Sequence, residues 1–352
     1  MKPEIKIGKY RIGLKYAPQV IAEIGINHGG SLKIAKKIAD AAINAGAKFI
    51  KHQTHICDEE MTHHARTAIP GNAKKSIYEI VKRCSLSEAD ERRLMEHITK
   101  RQAVFLSTPF SRAGADRLEK FDVPAFKIGS GECNNYPLIR HVASFGKPMI
   151  VSTGMNSIET IKPTVELIKK AGVPFALLHC TNVYPTPPEL VRLGAMTCLQ
   201  KEFPDAVVGL SDHTVNNYAC LAAVALGASI VERHFTDKME RRGPDICCSM
   251  DPRALADLIE GSLTIFQERG GEKKPAREEE QTIAFAFSSV VALENIPKGQ
   301  LLSMKNIWVK RPSGGDFTPN DFESLLGARA ARNISAGAQL KKNDIISKEK
   351  TC

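Results

Sequence analysis

The chain has 352 residues, of which 43% are hydrophobic and 25% charged, as is ordinary for a soluble globular protein. It contains no run of about 18 apolar residues, and its first segment, MKPEIKIGKYRIG, lacks the apolar core of a signal peptide, so we expect a cytoplasmic protein without a membrane span. The net charge of +10 is dispersed and no nucleic-acid motif accompanies it, which favours a small anionic substrate over nucleic acid.

Eight short apolar runs follow one another along the chain, and nearly all end in polar residues. They cover 20–28, 49–55, 104–109, 126–132, 149–154, 176–182, 207–213 and 230–235. Helix signals separate them: Ser31 can cap a helix that closes at Gly46, and Ser157 opens one that closes near Gly172. Eight strand–helix units predict a (β/α)8 TIM barrel, a fold that places its chemistry at the C-terminal ends of its strands.

The barrel pattern ends with a predicted helix around 252–268, which gives a barrel domain over 1–268. A charged stretch without an apolar face follows, RGGEKKPAREEEQ, and we predict a linker over 269–285. Beyond it, short β-like runs are broken by Pro-Lys-Gly and Ser-Gly-Gly. We therefore predict a small, mostly β domain over 286–352, with a short helix near 321–326.

Alternation of side chains along the predicted strands decides which of them share a face at the barrel mouth. Glu23 lies near the end of the first strand. In the second strand, Lys51 and Gln53 share one face, whereas His52 and Thr54 point the other way. Further candidates at the mouth, from later strands, are Lys127, Ser211, His213 and His234.

Two histidines, His213 and His234, end the seventh and eighth predicted strands, which would be neighbours about 4.8 Å apart. Histidines that converge in this way suit Mn²⁺, Zn²⁺ or another borderline divalent ion and leave open positions for water and substrate. The alternative is that each is a hydrogen-bonded packing residue. Their placement beside Asp212, Glu232 and Asp237 favours the metal.

Two lysines, Lys51 and Lys127, favour an anion site, because a buried ammonium group is costly without an anion and binds phosphate as a point charge. Strand-end residues that can donate hydrogen bonds to phosphate oxygens are Thr108, Ser130, Asn182 and Ser211. Two alternatives stay open. The lysines can pair with Glu23 and Glu132 as a structural network, or one lysine can form a Schiff base.

Two glutamates, Glu23 and Glu132, are candidate catalytic acid or base groups, since burial can raise a carboxyl pKa toward neutrality. The loop GPDICCSMDP follows the eighth predicted strand and places Asp245 over the same mouth. Turn formation is the alternative role for its glycine and prolines. The candidates together combine a two-histidine metal site with a two-lysine anion site.

The segments around these residues resemble the bacterial sialic acid synthase family (N-acetylneuraminate synthases). The resemblance covers essentially the whole chain, and its segments, in order, are EIGINHGGS, KHQTHICDEEM, IPGNA, STPFSR, KIGSGECNNYPLI, STGM, LHCTNVYPTP, GLSDHT, ERHFTD and GPDICCSMDP. The C-terminal part, SVVALENIPKGQLLSMKNIWVKRPSGGDF, is similar to the antifreeze-like (SAF) domain of the same family.

This resemblance implies that phosphoenolpyruvate condenses with N-acetylmannosamine and water, with cleavage of the C–O bond and release of phosphate. His213 and His234 would hold the metal, most simply Mn²⁺ with Mg²⁺ or Co²⁺ as alternatives, and Glu23 would act as a base near the metal-bound water. Phosphoenolpyruvate would contact Lys51, Thr108, Lys127, Ser130, Asn182 and Ser211. Sugar hydroxyls would contact Gln53, Glu132, Tyr184 and Asp245, with Asn72 close to the site.

In the resembled family, the small domain covers the barrel mouth of the partner protomer, so the resemblance also implies a homodimer. Arg311 in the KRP motif would reach the N-acetyl group, and Phe287 would form a wall nearby. Three alternatives differ in their chemistry. They are a legionaminic or pseudaminic acid synthase acting on a related 2-acetamido sugar, a lyase that forms a lysine Schiff base, and a non-catalytic sugar- or ice-binding protein.

Overall fold

The computed structural model describes residues 2–69 and 75–346, which divide into two units between Gly270 and Gly271. The larger unit contains the predicted barrel, and the smaller unit contains the predicted β domain. The linker predicted over 269–285 extends across this division. Within the described ranges, no helix is both long enough and apolar enough to cross a membrane.

The larger unit is built on eight parallel strands that follow an N-terminal hairpin. The hairpin pairs β1 (Glu4–Ile7) with β2 (Tyr10–Gly13). The parallel strands are β3 (Gln19–Gly25), β4 (Phe49–Thr54), β5 (Val104–Pro109), β6 (Phe126–Ile128), β7 (Met149–Ser152), β8 (Phe175–Cys180), β9 (Val207–Asp212) and β10 (Ile230–His234). They pair in the order β5-β4-β3-β10-β9-β8-β7-β6, and β5 also lies beside β6. The sheet therefore closes on itself, which confirms the predicted TIM barrel.

Helices connect these strands and pack against the sheet. They are α1 (Leu32–Asn44), α2 (Cys57–Glu60), α3 (Ile77–Cys84), α4 (Glu88–Lys100), α5 (Arg112–Lys120), α6 (Tyr136–Ala143), α7 (Ile158–Lys170), α8 (Pro188–Val191), α9 (Gly194–Glu202), α10 (Tyr218–Ala225) and α11 (Pro252–Glu268). The hydroxyl of Ser31 accepts a hydrogen bond from the amide of Ile34, which confirms the predicted cap of α1. The last helix of the larger unit, α11, has the predicted bounds.

The inward face of the barrel changes from apolar to polar along each strand. Ile21 precedes Glu23 on β3, and Phe49 precedes Lys51 on β4, each by the two residues that keep the face. The apolar members form one buried cluster, which the hairpin completes with Ile5, Ile7 and Ile12. Apolar side chains thus fill the N-terminal end of the barrel, and the charged groups are left at the C-terminal end.

One predicted strand is shorter than its sequence pattern. The run over 126–132 forms a strand only to Ile128, and Ser130–Glu132 make a 3₁₀ turn. The Ser130 hydroxyl accepts a hydrogen bond from the amide of Gly154, which ties this turn to the loop after β7. Ser130 and Glu132 therefore lie on a turn above the sheet, and strand alternation does not apply to them.

The smaller unit is mostly irregular chain with four short strands. It contains α12 (Glu280–Ala286), β11 (Ser289–Ala292), β12 (Ile307–Lys310), α13 (Phe322–Leu325), β13 (Arg329–Ala330) and β14 (Ile345–Ile346). β11 pairs with β12 and β13 with β14, both antiparallel. A separate core includes Val290, Ile307 and Leu340. The short helix predicted near 321–326 is present as α13, whereas α12 occupies the end of the predicted linker.

Candidate active site

A cavity of about 130 Å³ opens among the C-terminal ends of the barrel strands. Most of the predicted site residues line it, and they come from seven of the eight strands or the turns that follow them. Those that line it are Glu23, Lys51, Gln53, Thr108, Lys127, Ser130, Asn182, Tyr184, Ser211, His213 and His234.

Two buried lysines in this cavity are paired with two buried glutamates. Lys51 contacts the carboxylate of Glu23, and its Nζ lies 3.5 Å from Oε1 of Glu232. The Nζ of Lys127 lies 3.7 Å from the same oxygen of Glu232 and donates to the hydroxyl of Ser152 at 2.7 Å. The two ammonium groups balance the two carboxylates. The lysines therefore do pair with two glutamates, as the structural-network alternative predicted, but the second glutamate is Glu232 and not Glu132.

Burial and pairing act in opposite directions on the pKa values in this cluster. Burial lowers the pKa of Lys51, but Glu23 and Glu232 outweigh it, and the net shift is upward. Burial lowers the pKa of Lys127, and Glu232 only partly opposes that change. Burial raises the pKa of Glu232, yet Lys127 and Lys51 outweigh it and hold the pKa low. Lys51 therefore stays an ammonium ion, which suits anion binding and not Schiff-base formation.

Small polar side chains surround the lysine cluster. Thr108 accepts a hydrogen bond from Nζ of Lys51 at 3.2 Å, and the Ser211 hydroxyl donates to Glu232 at 3.3 Å. Position 154 requires glycine, because the Cβ of any other residue would lie 1.9 Å from Oδ1 of Asn182. Lysines ringed by hydroxyl and amide groups can hold a small anion with phosphate or carboxylate oxygens.

The two predicted metal ligands lie side by side at the rim of the cavity. The rings of His213 and His234 have centroids 5.4 Å apart. Nδ1 of His213 donates to the carbonyl oxygen of Thr181 at 2.8 Å, which fixes the tautomer and leaves the Nε2 lone pair free to bind a metal. Burial, assisted by His234, lowers the pKa of His213 to about 3, so its imidazole is neutral.

These histidines fit a divalent metal. Nδ1 of His234 is buried without a hydrogen-bond partner, and the nearest oxygen of Asp245 lies 3.6 Å away. A neutral imidazole with one ring nitrogen anchored by the backbone, as in His213, is an ordinary ligand for Mn²⁺ or Zn²⁺. In residues 2–69 and 75–346, no cluster of three or more His, Cys, Asp or Glu has a metal-binding arrangement. A metal held here would therefore take His213 and His234 as its protein ligands, with substrate or water as the others.

The residues predicted to bind the sugar are more scattered. Gln53 donates to Glu23 at 3.0 Å, and the ring of Tyr184 packs on His213 with centroids 4.0 Å apart. Asp245 is partly buried beside His234, and desolvation raises its pKa. Glu132 lies in an adjoining cavity, where burial raises its pKa and it accepts a hydrogen bond from Asn135 at 2.6 Å.

Three further predicted residues lie elsewhere. Asn72 falls outside the described residues. Phe287 and Arg311 both belong to the smaller unit and are exposed. Their predicted roles toward a substrate stay predictions.

Six residues that line the cavity are not among the predicted site residues: Phe110, Gly129, Gly131, Ser152, Cys180 and Glu232. Alternation could have identified Glu232, which precedes His234 by two residues on β10. The same reasoning applies to Ser152, which follows the inward Ile150 on β7. Phe110 lies beyond the end of β5, where the sequence gives no comparable signal.

The outward side chains of β4 form a second buried network, which confirms the predicted alternation. His52 and Thr54 both hydrogen-bond to Glu91 on α4, and Arg117 on α5 donates to the other oxygen of Glu91 at 3.1 Å. Burial raises the pKa of Glu91, but its partners, His52 first, outweigh burial and hold the pKa below its usual range. This network fastens α4 and α5 to the strand that carries Lys51.

We expect Glu91→Ala to lower the free energy of unfolding by about 3–5 kcal/mol, because it leaves the partly buried Arg117 and the buried His52 without the carboxylate that they share. Since the pKa of Glu91 is lowered on folding, its contribution is present above the unfolded-state pKa and is lost as pH falls through the folded-state value. The difference between wild type and variant should therefore shrink in acid. Urea denaturation measures the free energy of unfolding of each protein. Far-UV circular dichroism is the suitable signal, because the single tryptophan, Trp308, lies in the smaller unit and its fluorescence would not report on the barrel.

Glu88→Ala is the matched control. Glu88 lies on the same helix, its side chain is 53% exposed, and its nearest oxygen is 3.9 Å from Arg117. Its removal should change the unfolding free energy by less than about 0.5 kcal/mol. Equal effects of the two substitutions would contradict the role given to Glu91.

Comparison with known proteins shows which family the chain matches. Residues 38–274 match the model of the NeuB family, and residues 287–346 match the SAF domain. An uncharacterized protein of Methanocaldococcus jannaschii is 38% identical over 94% of this chain and 95% of its own length. The N,N'-diacetyllegionaminic acid synthase of Campylobacter jejuni is 36% identical over 89% of this chain and 96% of its own.

Solved structures agree in fold. The N-acetylneuraminic acid (sialic acid) synthetase of Leptospira borgpetersenii, crystallised with citrate, superimposes with a TM-score of 0.74 at 31% identity. The match covers 80% of this chain and 96% of that one.

Proposed function

The chain belongs to the NeuB family, and on this basis we propose that it is an N-acetylneuraminate synthase, which condenses phosphoenolpyruvate with N-acetylmannosamine and water. C3 of phosphoenolpyruvate bonds to C1 of the open-chain sugar, water adds at C2, and the C2–O bond to phosphate breaks. The products are the nine-carbon 2-keto acid and inorganic phosphate. The observation that carries the proposal is the buried pair of lysines beside two metal-competent histidines at one barrel mouth.

Each part of the cavity has a task in this reaction. Lys51 and Lys127 hold the phosphate and carboxylate of phosphoenolpyruvate, and the surrounding hydroxyls orient its oxygens. Glu23, which contacts Lys51 and Gln53, would take a proton from the attacking water. A divalent ion, most simply Mn²⁺, held by His213 and His234 would polarise the sugar aldehyde.

The homodimer expected from the resemblance is part of this proposal. In it, Arg311 and Phe287 of one protomer complete the site of its partner. Both residues lie within the segment that matches the SAF domain, which begins at Phe287, and both are exposed in the smaller unit.

The alternative within the family is a legionaminic or pseudaminic acid synthase. It is favoured by the Campylobacter relative, whose product carries two acetamido groups. A panel of sugars, scored by phosphate release from phosphoenolpyruvate with Mn²⁺ present, separates the two. Turnover with N-acetylmannosamine above that with a diacetamido hexose supports our proposal, and the reverse order supports the alternative.

A further inference from the structure

Beside the candidate active site, four side chains form one hydrogen-bonded row. Nδ1 of His55 lies 3.0 and 3.1 Å from the two carboxylate oxygens of Glu60, and its Nε2 lies 3.0 Å from Oε1 of Gln53. Nε2 of Gln53 in turn donates to Oε1 of Glu23 at 3.0 Å. Gln53 and Glu23 line the cavity, whereas His55 and Glu60 lie behind them. The row thus links a buried ion pair to a group at the reacting centre.

The direction of these hydrogen bonds follows from which atoms can donate. A carboxylate only accepts, so Glu23 requires the NH₂ group of Gln53, and the amide oxygen must then face His55. That oxygen needs a proton on Nε2, and the carboxylate of Glu60 needs a proton on Nδ1. In this arrangement His55 donates on both sides as an imidazolium ion, with Glu60 as its counter-ion. A reversed amide would instead present its oxygen to an oxygen of Glu23.

Packing holds the imidazole in this position. The ring of Phe110 stacks on His55 with centroids 4.4 Å apart and planes 11° apart. The side chains of His55 and Glu60 are only 7% and 3% exposed. Gly25 leaves the space in which Gln53 meets Glu23, because a Cβ there would lie 2.7 Å from Oε1 of Glu23. The row is therefore buried, fixed in direction and fitted to one orientation of the amide.

We propose that His55 and Glu60 are positioning residues: they fix the Gln53 amide, and through it the carboxylate of Glu23, in the orientation that the condensation uses. This inference rests on the proposed function. Without the two N–H donors of His55, the amide is free to reverse and to push Glu23 away from Lys51. A misplacement of about 1 Å at a reacting group costs roughly 100-fold in rate.

The test is a double-mutant cycle on phosphate release, run with enough enzyme to quantify residual rates. His55→Phe keeps a ring against Phe110 and removes both donors. We expect kcat to fall about 100-fold, with the KM for phosphoenolpyruvate changed less than about threefold because the lysine cluster is untouched. In a Gln53→Ala background, His55→Phe should cost no further activity, since its effect passes through Gln53. A merely structural role would add its loss in both backgrounds.

Two neighbouring glutamates supply a second arm and its control. Glu60→Gln removes the counter-ion of His55, and we expect kcat to fall about tenfold in wild type but not in Gln53→Ala. Glu59→Gln makes the same chemical change one residue away, at an exposed position, and should leave kcat unchanged. This arm decides the matter if His55→Phe does not fold. Losses that persist in Gln53→Ala, or unchanged kcat in both variants, would overturn the proposal. A wild-type protein that releases no phosphate with any acetamido sugar would instead refute the proposed function, and this inference with it.

Discussion

Replacing His234 with alanine should lower kcat for phosphate release on the order of 10³-fold, and added Mn²⁺ should not restore it. In our proposal His213 and His234, with ring centroids 5.4 Å apart, are the two protein ligands of the ion, so one substitution would remove half of them. Among the described residues, no cluster of three or more His, Cys, Asp or Glu provides a substitute site. The measurement is the steady-state rate over a Mn²⁺ titration.

A second readout separates metal binding from turnover. Free Mn²⁺ has a strong electron paramagnetic resonance signal, and wild-type protein should quench it stoichiometrically where His234→Ala does not. His63→Ala serves as the control, because His63 is exposed and does not line the cavity. This variant should match wild type in both assays. Wild-type turnover by His234→Ala, or equal Mn²⁺ binding by both proteins, would remove the metal from the proposal.

Replacing Lys51 with methionine should lower kcat/KM for phosphoenolpyruvate on the order of 10³-fold. Methionine keeps the length and apolar body of the side chain but removes the charge. The carboxylates of Glu23 and Glu232 then face the substrate anion with Lys127 as the remaining buried cation of the cluster. Breaking a buried pair by removing one partner typically costs about 3–5 kcal/mol, so the thermal midpoint of the variant should fall as well.

Lys48→Met is the matched control for this variant. Lys48 directly precedes the same strand, is exposed, and lies at the opposite end of the barrel. It should leave both kcat/KM and the thermal midpoint near wild-type values. If Lys51→Met retained its kcat/KM for phosphoenolpyruvate while folding normally, the anion site would have to be placed elsewhere.

The barrel and much of its mouth could be predicted because alternation survives to the ends of the strands. Lys51 and Gln53 point inward and His52 and Thr54 outward, as their positions predict. The same rule applied to β10 would have added Glu232, the partner that the lysines have in place of Glu132. The rule stops where the strands stop. Glu132 lies on a turn after β6, and its side chain is directed into a neighbouring cavity.

Other features could not be read from the pattern, because no periodic signal marks them. Each strand of the N-terminal hairpin has only four residues. The role of Ile5, Ile7 and Ile12 is evident only in the folded structure, where they pack against the N-terminal end of the barrel. Helix α12 contains no buried residue, so an argument based on an apolar face cannot find it. The His55–Glu60 pair depends on a turn that brings residues five apart together beside Gln53.

The position of one oxygen atom tests the central claim most directly. Phosphoenolpyruvate labelled with ¹⁸O in the bridging C–O–P position should give phosphate that carries the label, because we propose that the C2–O bond breaks and that water supplies the new ketone oxygen. Mass spectrometry of the released phosphate measures this. Label retained in the keto acid, with unlabelled phosphate, would mean that the P–O bond breaks and would contradict the reaction proposed for this cavity.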